Sequence, residues 1–238
     1  MTRCALFVIL LTLFSCFSSV AKEVYVCGMA QGFHPYQFSE NGEPKGLDYQ
    51  LFQKMAAKMN VPVQIWLGDW DDVVAKLRFG QLDCAIGMEW NQTRDKYFDF
   101  TTPYYMRRSA IFVLKHDSKI NDLHDLDKQL VVGDRHSYFE RYLKEQQIEV
   151  RNKHTHSKEQ SFMLLQQKQY KAMIAPLQVG YYLADKYHVE LKVLSLSPAG
   201  TPVSMVVQKG NKALLYKMEK ALQELIVENE ISPIFQRQ

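Results

Sequence analysis

The sequence predicts an α/β protein in which short buried strands alternate with amphipathic helices through two successive regions. Three observations predict this. The first region reads strand, helix, strand, helix, strand, with apolar runs of strand length separated by segments of helical period. Residues 109–202 repeat the same logic. The strand runs end at glycine or a polar turn, and an open parallel sheet presents its ligand loops along that edge.

Residues 23–27 alternate into a first strand, and Gly28 begins a loop that holds Phe33, His34, Pro35, Tyr36 and Phe38, with Asn41-Gly42 as a turn signal. From Leu47 the period becomes helical: Leu47, Leu51, Phe52, Met55 and Met59 share one face, and Asp48 sits in the first turn, where a carboxylate suits the helix dipole. Asn60 and Pro62 end that helix, and Val63, Ile65 and Leu67 alternate as a strand. Asp69 or Asp71 caps a second helix carrying Val73, Val74 and Leu77, with Gly80 as its stop and Trp70 on the preceding strand-end loop. A buried strand over 82–86 then closes at Gly87.

The second region opens with an apolar strand over 109–114 and continues with strands at 129–132, 148–150, 172–175 and 189–196. Ser137-x-x-Glu140 and Ser157-x-x-Gln160 are capping-box patterns that open helices. Pro176 suits the first turn of the next helix. Residues 203–207 form one more strand, 212–227 a long amphipathic helix, and 231–235 a short helical turn.

The chain has 238 residues, enough for one large domain or two small ones. Arg3, the apolar run 5–17 and Ser19-Val20-Ala21 read as a secretory signal peptide over 1–21. A second reading makes Leu13-Phe14-Ser15-Cys16 a lipoprotein box, although Phe14 is bulky for it. Loss of that segment lowers 29 basic residues to 28 against 26 acids, a balance that offers no basic face to nucleic acid. Of four cysteines, Cys27 and Cys84 remain, each in a strand-like run. In an oxidising compartment they can pair as one disulfide, or they pack as two small apolar residues. No CxxC or zinc spacing occurs, and no cofactor or metal is expected.

The stretch 83–105 carries the chemistry. A buried strand hands over to a polar turn, Arg94 follows, and then Tyr97, Phe98, Phe100 and the loop Thr101-Thr102-Pro103-Tyr104-Tyr105. A guanidinium just past a strand end offers a planar fork to a carboxylate, so the site is expected to bind a small anion.

With these residues in view, the chain beyond residue 21 resembles bacterial periplasmic solute-binding proteins of the polar amino-acid type, partners of ABC importers. The matching pieces are HPYQF with its turn, GLDYQLFQKMAAKM, WDDVVAKLRFGQLDCAIGM, TRDKYFDFTTPYY and VVGDRHSYFERYL. The resemblance implies a type II fold of two α/β lobes, 22–108 plus 203–238 and 109–202, joined by crossing strands with hinges at 106–109 and 201–206. It implies that Arg94 clamps an α-carboxylate, Tyr36 walls the cleft, the Gly87 and Met88 backbone accepts from an ammonium group, and Ser137 meets the carboxylate from the second lobe. It also exposes departures: Glu89 stands where a small hydroxyl residue is common, Asn91 where a threonine is, and His136 where a glycine is. Pro176 replaces the acid that holds the ammonium group. Glu89 is then the candidate partner for a cationic amine, and the ligand departs from an ordinary α-amino acid. Phe33 and Trp70 are further cleft candidates.

The resemblance implies a monomeric periplasmic protein that captures an amino acid or small carboxylate and presents it to an inner-membrane permease or sensor. Two alternatives use the same scaffold. One is a periplasmic enzyme similar to cyclohexadienyl dehydratases, with Glu89 as general acid. The other is a receptor that signals to a membrane partner.

Overall fold

A computed structural model describes residues 24–117, 119–133 and 137–235. The expected signal segment, 1–21, and with it the Cys16 lipoprotein box, lies outside the described residues.

The first strand, β1, spans Tyr25–Ala30. A small antiparallel sheet follows, β2 (Gly32–Phe33), β3 (Gln37–Glu40) and β4 (Glu43–Lys45), in a stretch that the sequence reads as loop. Asn41 and Gly42 turn β3 into β4 with φ of 53° and 83°, the signature of a tight hairpin turn. Helix α1 covers Leu47–Met59 and ends at Asn60 in the left-handed conformation. Then come β5 (Val63–Gly68), α2 (Trp70–Arg78), β6 (Cys84–Glu89), β7 (Phe98–Phe100) and β8 (Tyr105–Arg107). Trp70 is therefore the first residue of a helix, not part of a loop.

The chain next builds β9 (Ser109–Leu114), β10 (Leu130–Val132), α3 (Tyr138–Glu145), β11 (Arg151–Lys153), α4 (Lys158–Gln166), β12 (Ala172–Pro176), α5 (Leu177–Lys186) and β13 (Leu191–Leu196). It returns through β14 (Thr201–Gln208) into α6 (Lys212–Val227) and α7 (Ser232–Phe235). Both serines cap their helices: Ser137 Oγ accepts from the Glu140 N–H and Ser157 Oγ from the Gln160 N–H, each at 3.1 Å. The strand expected at 148–150 lies three residues later, because Ile148 is buried beneath α3 and only Arg151–Lys153 reach the β10 ladder.

Two sheets result. The first has the order β5-β1-β6-β14-β7, with β8 also on β14. The second has the order β11-β10-β12-β9-β13. The three strands read as βαβαβ are parallel in the first sheet, and β10, β11 and β12 are parallel in the second. In each sheet the connection leaves the central strand to one side and returns to the other, so a switch point opens between β1 and β6 and another between β10 and β12. Such points put a crevice at the strand C-termini.

Apolar residues cover both faces of each sheet. Leu51, Phe52 and Met55 of α1 pack with Leu214, Met218 and Leu222 of α6 on one face of the first sheet, and Val73, Leu77 and Phe98 fill the other. Phe112, Phe162 and Met173 sit on one side of the second sheet, Ile111, Phe139 and Leu143 on the other. The chain passes between sheets at 107–109 and 196–201. Arg108 donates through Nε and Nη2 to the Ser197 carbonyl, at 3.0 and 2.8 Å, tying the two crossings together.

Two glycines need no Cβ for packing reasons that end-of-strand logic does not supply. Gly28 lies within β1, not at the head of a loop, and a Cβ there would strike Leu82 and Val73. Gly87 does not end β6. It sits at φ 69° in a bulge, where Ile86 and Gly87 together face Met205 on β14.

Candidate functional site

The crevice is built first from α1. Asp48 falls on the same helical face as Phe52 and Met55, so the helix buries it completely. Its carboxylate accepts from Gln37 Nε2 at 2.9 Å, from the Tyr104 hydroxyl at 3.0 Å and from Arg107 Nη2 at 3.1 Å. Gln37 also accepts from the Ala30 N–H at 2.9 Å, binding the end of β1 to α1. The bulge at Gly87 brings the β6 backbone against this cluster, and a Cβ there would collide with Asp48 Oδ2 and Gln37 Nε2.

Arg107 is the cationic centre. Residues two apart on a strand share a face, so β8 aims Tyr105 and Arg107 together into the crevice while Met106 points to solvent. The guanidinium donates to the Tyr105 hydroxyl and reaches Glu89 Oε1 at 3.4 Å. Its carbon lies 4.3 Å from the Tyr36 ring centre, 5.0 Å from Phe33 and 5.2 Å from Tyr105, within the range of cation–π attraction. Among the described residues Arg107 Nε is buried without a hydrogen-bond partner.

Burial raises the Asp48 carboxyl above its ordinary value, and Arg107, Gln37 and Tyr104 offset only part of that rise. With a guanidinium and two further donors on its oxygens, the ionised carboxylate is the form this geometry holds. For Arg107, burial works downward, but Tyr105, Asp48 and Glu89 outweigh it and raise the pKa, so the charge persists. Burial pushes the Tyr36 phenol up to about 12.

Arg94 stands one turn past β6, on a short 3₁₀ segment, Arg94–Lys96. Asn91 Oδ1 accepts from the Arg94 N–H at 2.8 Å, so Asn91 caps that turn. Arg94 Nη1 donates to the Glu89 carbonyl at 2.8 Å, and its guanidinium lies 5.7 Å from the Trp70 ring centre. Arg94, Glu89, Asn91 and Trp70 are thus brought together at one strand end.

The other expected residues are placed as follows. Phe33 and Tyr36 pack on the apolar cluster of the second sheet, where Tyr36 is buried in the core with Phe112 and Ala175. The Gly87 carbonyl lies 3.5 Å from Gln37 Nε2. The Met88 side chain is fully buried with Val73 and Leu77. Ser137 caps α3 at the edge of the second sheet. His136 lies outside the described residues. Glu89 does not stand unpaired for a ligand amine, since Arg107 holds its carboxylate. Cys27 and Cys84 are direct neighbours on parallel strands, with Cα atoms 4.5 Å apart, and form a disulfide.

The sequence reading missed Gln37, Tyr104, Tyr105 and Arg107 as a polar cluster, and treated Asp48 as a helix-start acid. One signal was present: Asp48 shares the apolar face of α1 by spacing alone. An acid on a buried face needs partners.

Two α/β sheets crossed twice by the chain, with a polar crevice at their switch points, define a solute-binding protein of the type II fold. The chain matches the bacterial extracellular solute-binding proteins, family 3, over residues 25–237, and it belongs to that family. It is 26% identical over 212 residues to ABC transporter arginine-binding protein 1 of Escherichia coli (strain K12), covering 87% of this chain and 86% of the relative. It is 29% identical over 192 residues to the amino-acid-binding protein AabA of Dichelobacter nodosus, covering 78% and 76%. Among solved structures, an ancestral arginine-binding protein bound to glutamine superposes with a TM-score of 0.81 at 28% identity, covering 90% of this chain and 96% of that one. Among the described residues no helix is long and apolar enough to cross a membrane.

Proposed function

We propose that the protein captures an amino acid or a related small carboxylate in the periplasm, between its two sheets, and presents it to the permease of an ABC importer. The observation that carries this reading is Arg94. A guanidinium positioned by the Glu89 carbonyl and the Trp70 ring, at the C-terminal end of a central strand, presents the planar fork that a carboxylate accepts in bidentate fashion. From the second lobe, the N-terminus of α3, capped by Ser137, would offer the same anion the positive end of a helix dipole on closure.

The two crossings, with bending near 106–109 and 201–206, let lobe one (22–108 plus 203–238) and lobe two (109–202) close on the ligand. A ligand that touches both lobes favours the closed form by its differential affinity. The signal segment at 1–21 supports export. The names of the relatives support an amino-acid ligand.

A thermal-shift screen of amino acids and small dicarboxylates tests the reading. At a ligand concentration of about 100 times Kd a true ligand adds about 2.7 kcal/mol of stability. A screen in which no amino acid or carboxylate stabilises the protein overturns it. Ligand-dependent ATPase stimulation of the reconstituted permease separates import from signalling.

A further inference from the structure

The cluster around Arg107 has the composition of a receptor site for a cation. Three aromatic rings, Phe33, Tyr36 and Tyr105, face one guanidinium at 5.0, 4.3 and 5.2 Å. Two carboxylates, Asp48 and Glu89, flank it at 3.1 and 3.4 Å. The cluster lies between the sheets: Tyr36 and Phe33 pack against the apolar cluster of the second sheet, while Asp48 and Glu89 belong to α1 and β6 of the first. Glu89 also carries the carbonyl that positions Arg94. The cation cage and the carboxylate fork therefore share a residue.

We infer that Arg107 is an intramolecular ligand that fills the cationic subsite of this crevice, so that the protein rejects amino acids with guanidinium or ammonium side chains and accepts neutral or acidic ones. The inference rests on the carboxylate-binding reading above and specifies its ligand class.

The physical reason is competition. Arg107 is covalently attached two residues before the chain enters the second sheet, so its guanidinium has a local concentration that a free solute does not match. Its side chain is 3% exposed, which leaves a second cation no access to the rings without expelling it. A second cation beside Arg107 would meet a like charge in a poorly screened setting. A carboxylate or neutral side chain meets no such barrier. The deep member of the pair, Asp48, is also held by Gln37 and Tyr104, so its carboxylate keeps two further donors when Arg107 is removed.

The test uses methylguanidinium, which carries the cation and no carboxylate, together with L-arginine and the neutral or acidic hit from the screen. In the unaltered protein, 10 mM methylguanidinium and L-arginine are expected to give no saturable shift in Tm, on the order of other salts at that ionic strength. In R107A, methylguanidinium is expected to raise Tm saturably, as a small ligand fills a cavity of its own shape, and L-arginine binding is expected to tighten by about tenfold or more. Because R107A leaves two carboxylates without their cation, D48N/R107A is the second variant. It removes charge from both sides of the deep pair and keeps Glu89 and the three rings, and it is also expected to take methylguanidinium.

If the unaltered protein binds L-arginine as tightly as R107A, or if neither variant responds to methylguanidinium, Arg107 is a structural ion pair and the inference is overturned. The two readings fail separately. Methylguanidinium does not need Arg94, so a response to it in a protein that binds no amino acid sinks the carboxylate clamp and leaves the cation cage standing.

Discussion

Arg107 Nη2 lies 3.1 Å from Asp48 Oδ2, joining the crossing strand β8 to the first turn of α1 through a pair that solvent does not reach. The two residues are 59 positions apart, and neither is on a loop. Their pairing fastens α1 to β8 within the buried polar cluster that Gln37 and Tyr104 complete.

Replacing Asp48 with Asn is expected to destabilise the protein by about 3–5 kcal/mol, because a guanidinium is left buried against a neutral group. Urea unfolding measures it. The double variant D48N/R107M is expected to recover much of that loss, since removing both charges also removes the desolvation penalty. An undiminished loss in the double variant would show that the pair acts through packing alone.

The disulfide closes a loop between residues 57 positions apart. Loop-closure entropy alone makes it worth about 4 kcal/mol, and about 2–4 is the usual observed range. C27A/C84A is expected to lower the urea midpoint accordingly without changing the far-ultraviolet circular dichroism, because both sites are buried on central strands. The unaltered protein under reducing conditions should match the variant.

His34 provides a pH dependence. Its ring stacks on Phe38 at 3.9 Å and on Tyr182 of α5 at 4.3 Å, so it links the small sheet to the second lobe. Burial lowers its pKa and Lys186 adds to that, while Glu159 and Glu40 oppose it. A histidine whose folded pKa is depressed contributes stability that is full above its unfolded value, about 6.5, and is lost as pH falls through the folded value. Stability is expected to decline as pH falls below about 6.5, and H34F to flatten that slope. Small-angle scattering should show the radius of gyration rising over the same interval if the stacking holds the lobes together.

Arg94→Ala is expected to weaken the ligand found by screening by about 10- to 150-fold, the range for a charge-assisted bond to an anion. Isothermal titration measures it. Arg94→Lys should restore only part, because an ammonium group cannot reproduce the planar fork. Full binding by R94A would move the clamp elsewhere.

Much of the architecture was legible because it is local. The serine N-caps at Ser137 and Ser157 form where their spacing places them, and the helical face of α1 buries the expected Leu51, Phe52 and Met55. The turn at Asn41-Gly42 was legible for the same reason: left-handed φ values are a property of the residues themselves. The glycines misled at Gly28 and Gly87. Both look like strand ends in one dimension, yet each is small because a distant side chain occupies the place of its Cβ: Leu82 in one case and Asp48 in the other.

The candidate site divides along the same line. Arg94, Glu89 and Asn91 fall within one turn, so sequence reading assembled them. Asp48, Gln37, Tyr104 and Arg107 come from separate elements, and no period or spacing joins them. The sequence by itself determined the alternating elements, the two-part α/β plan and the place of an arginine just after a buried strand. Tertiary structure alone decided that Cys27 faces Cys84, that Glu89 is held by the protein's own cation, and that the aromatic wall encloses Arg107. The reason is physical: hydrophobic period and capping act over a few residues, whereas a buried charge finds its partners only after the sheets and helices have packed.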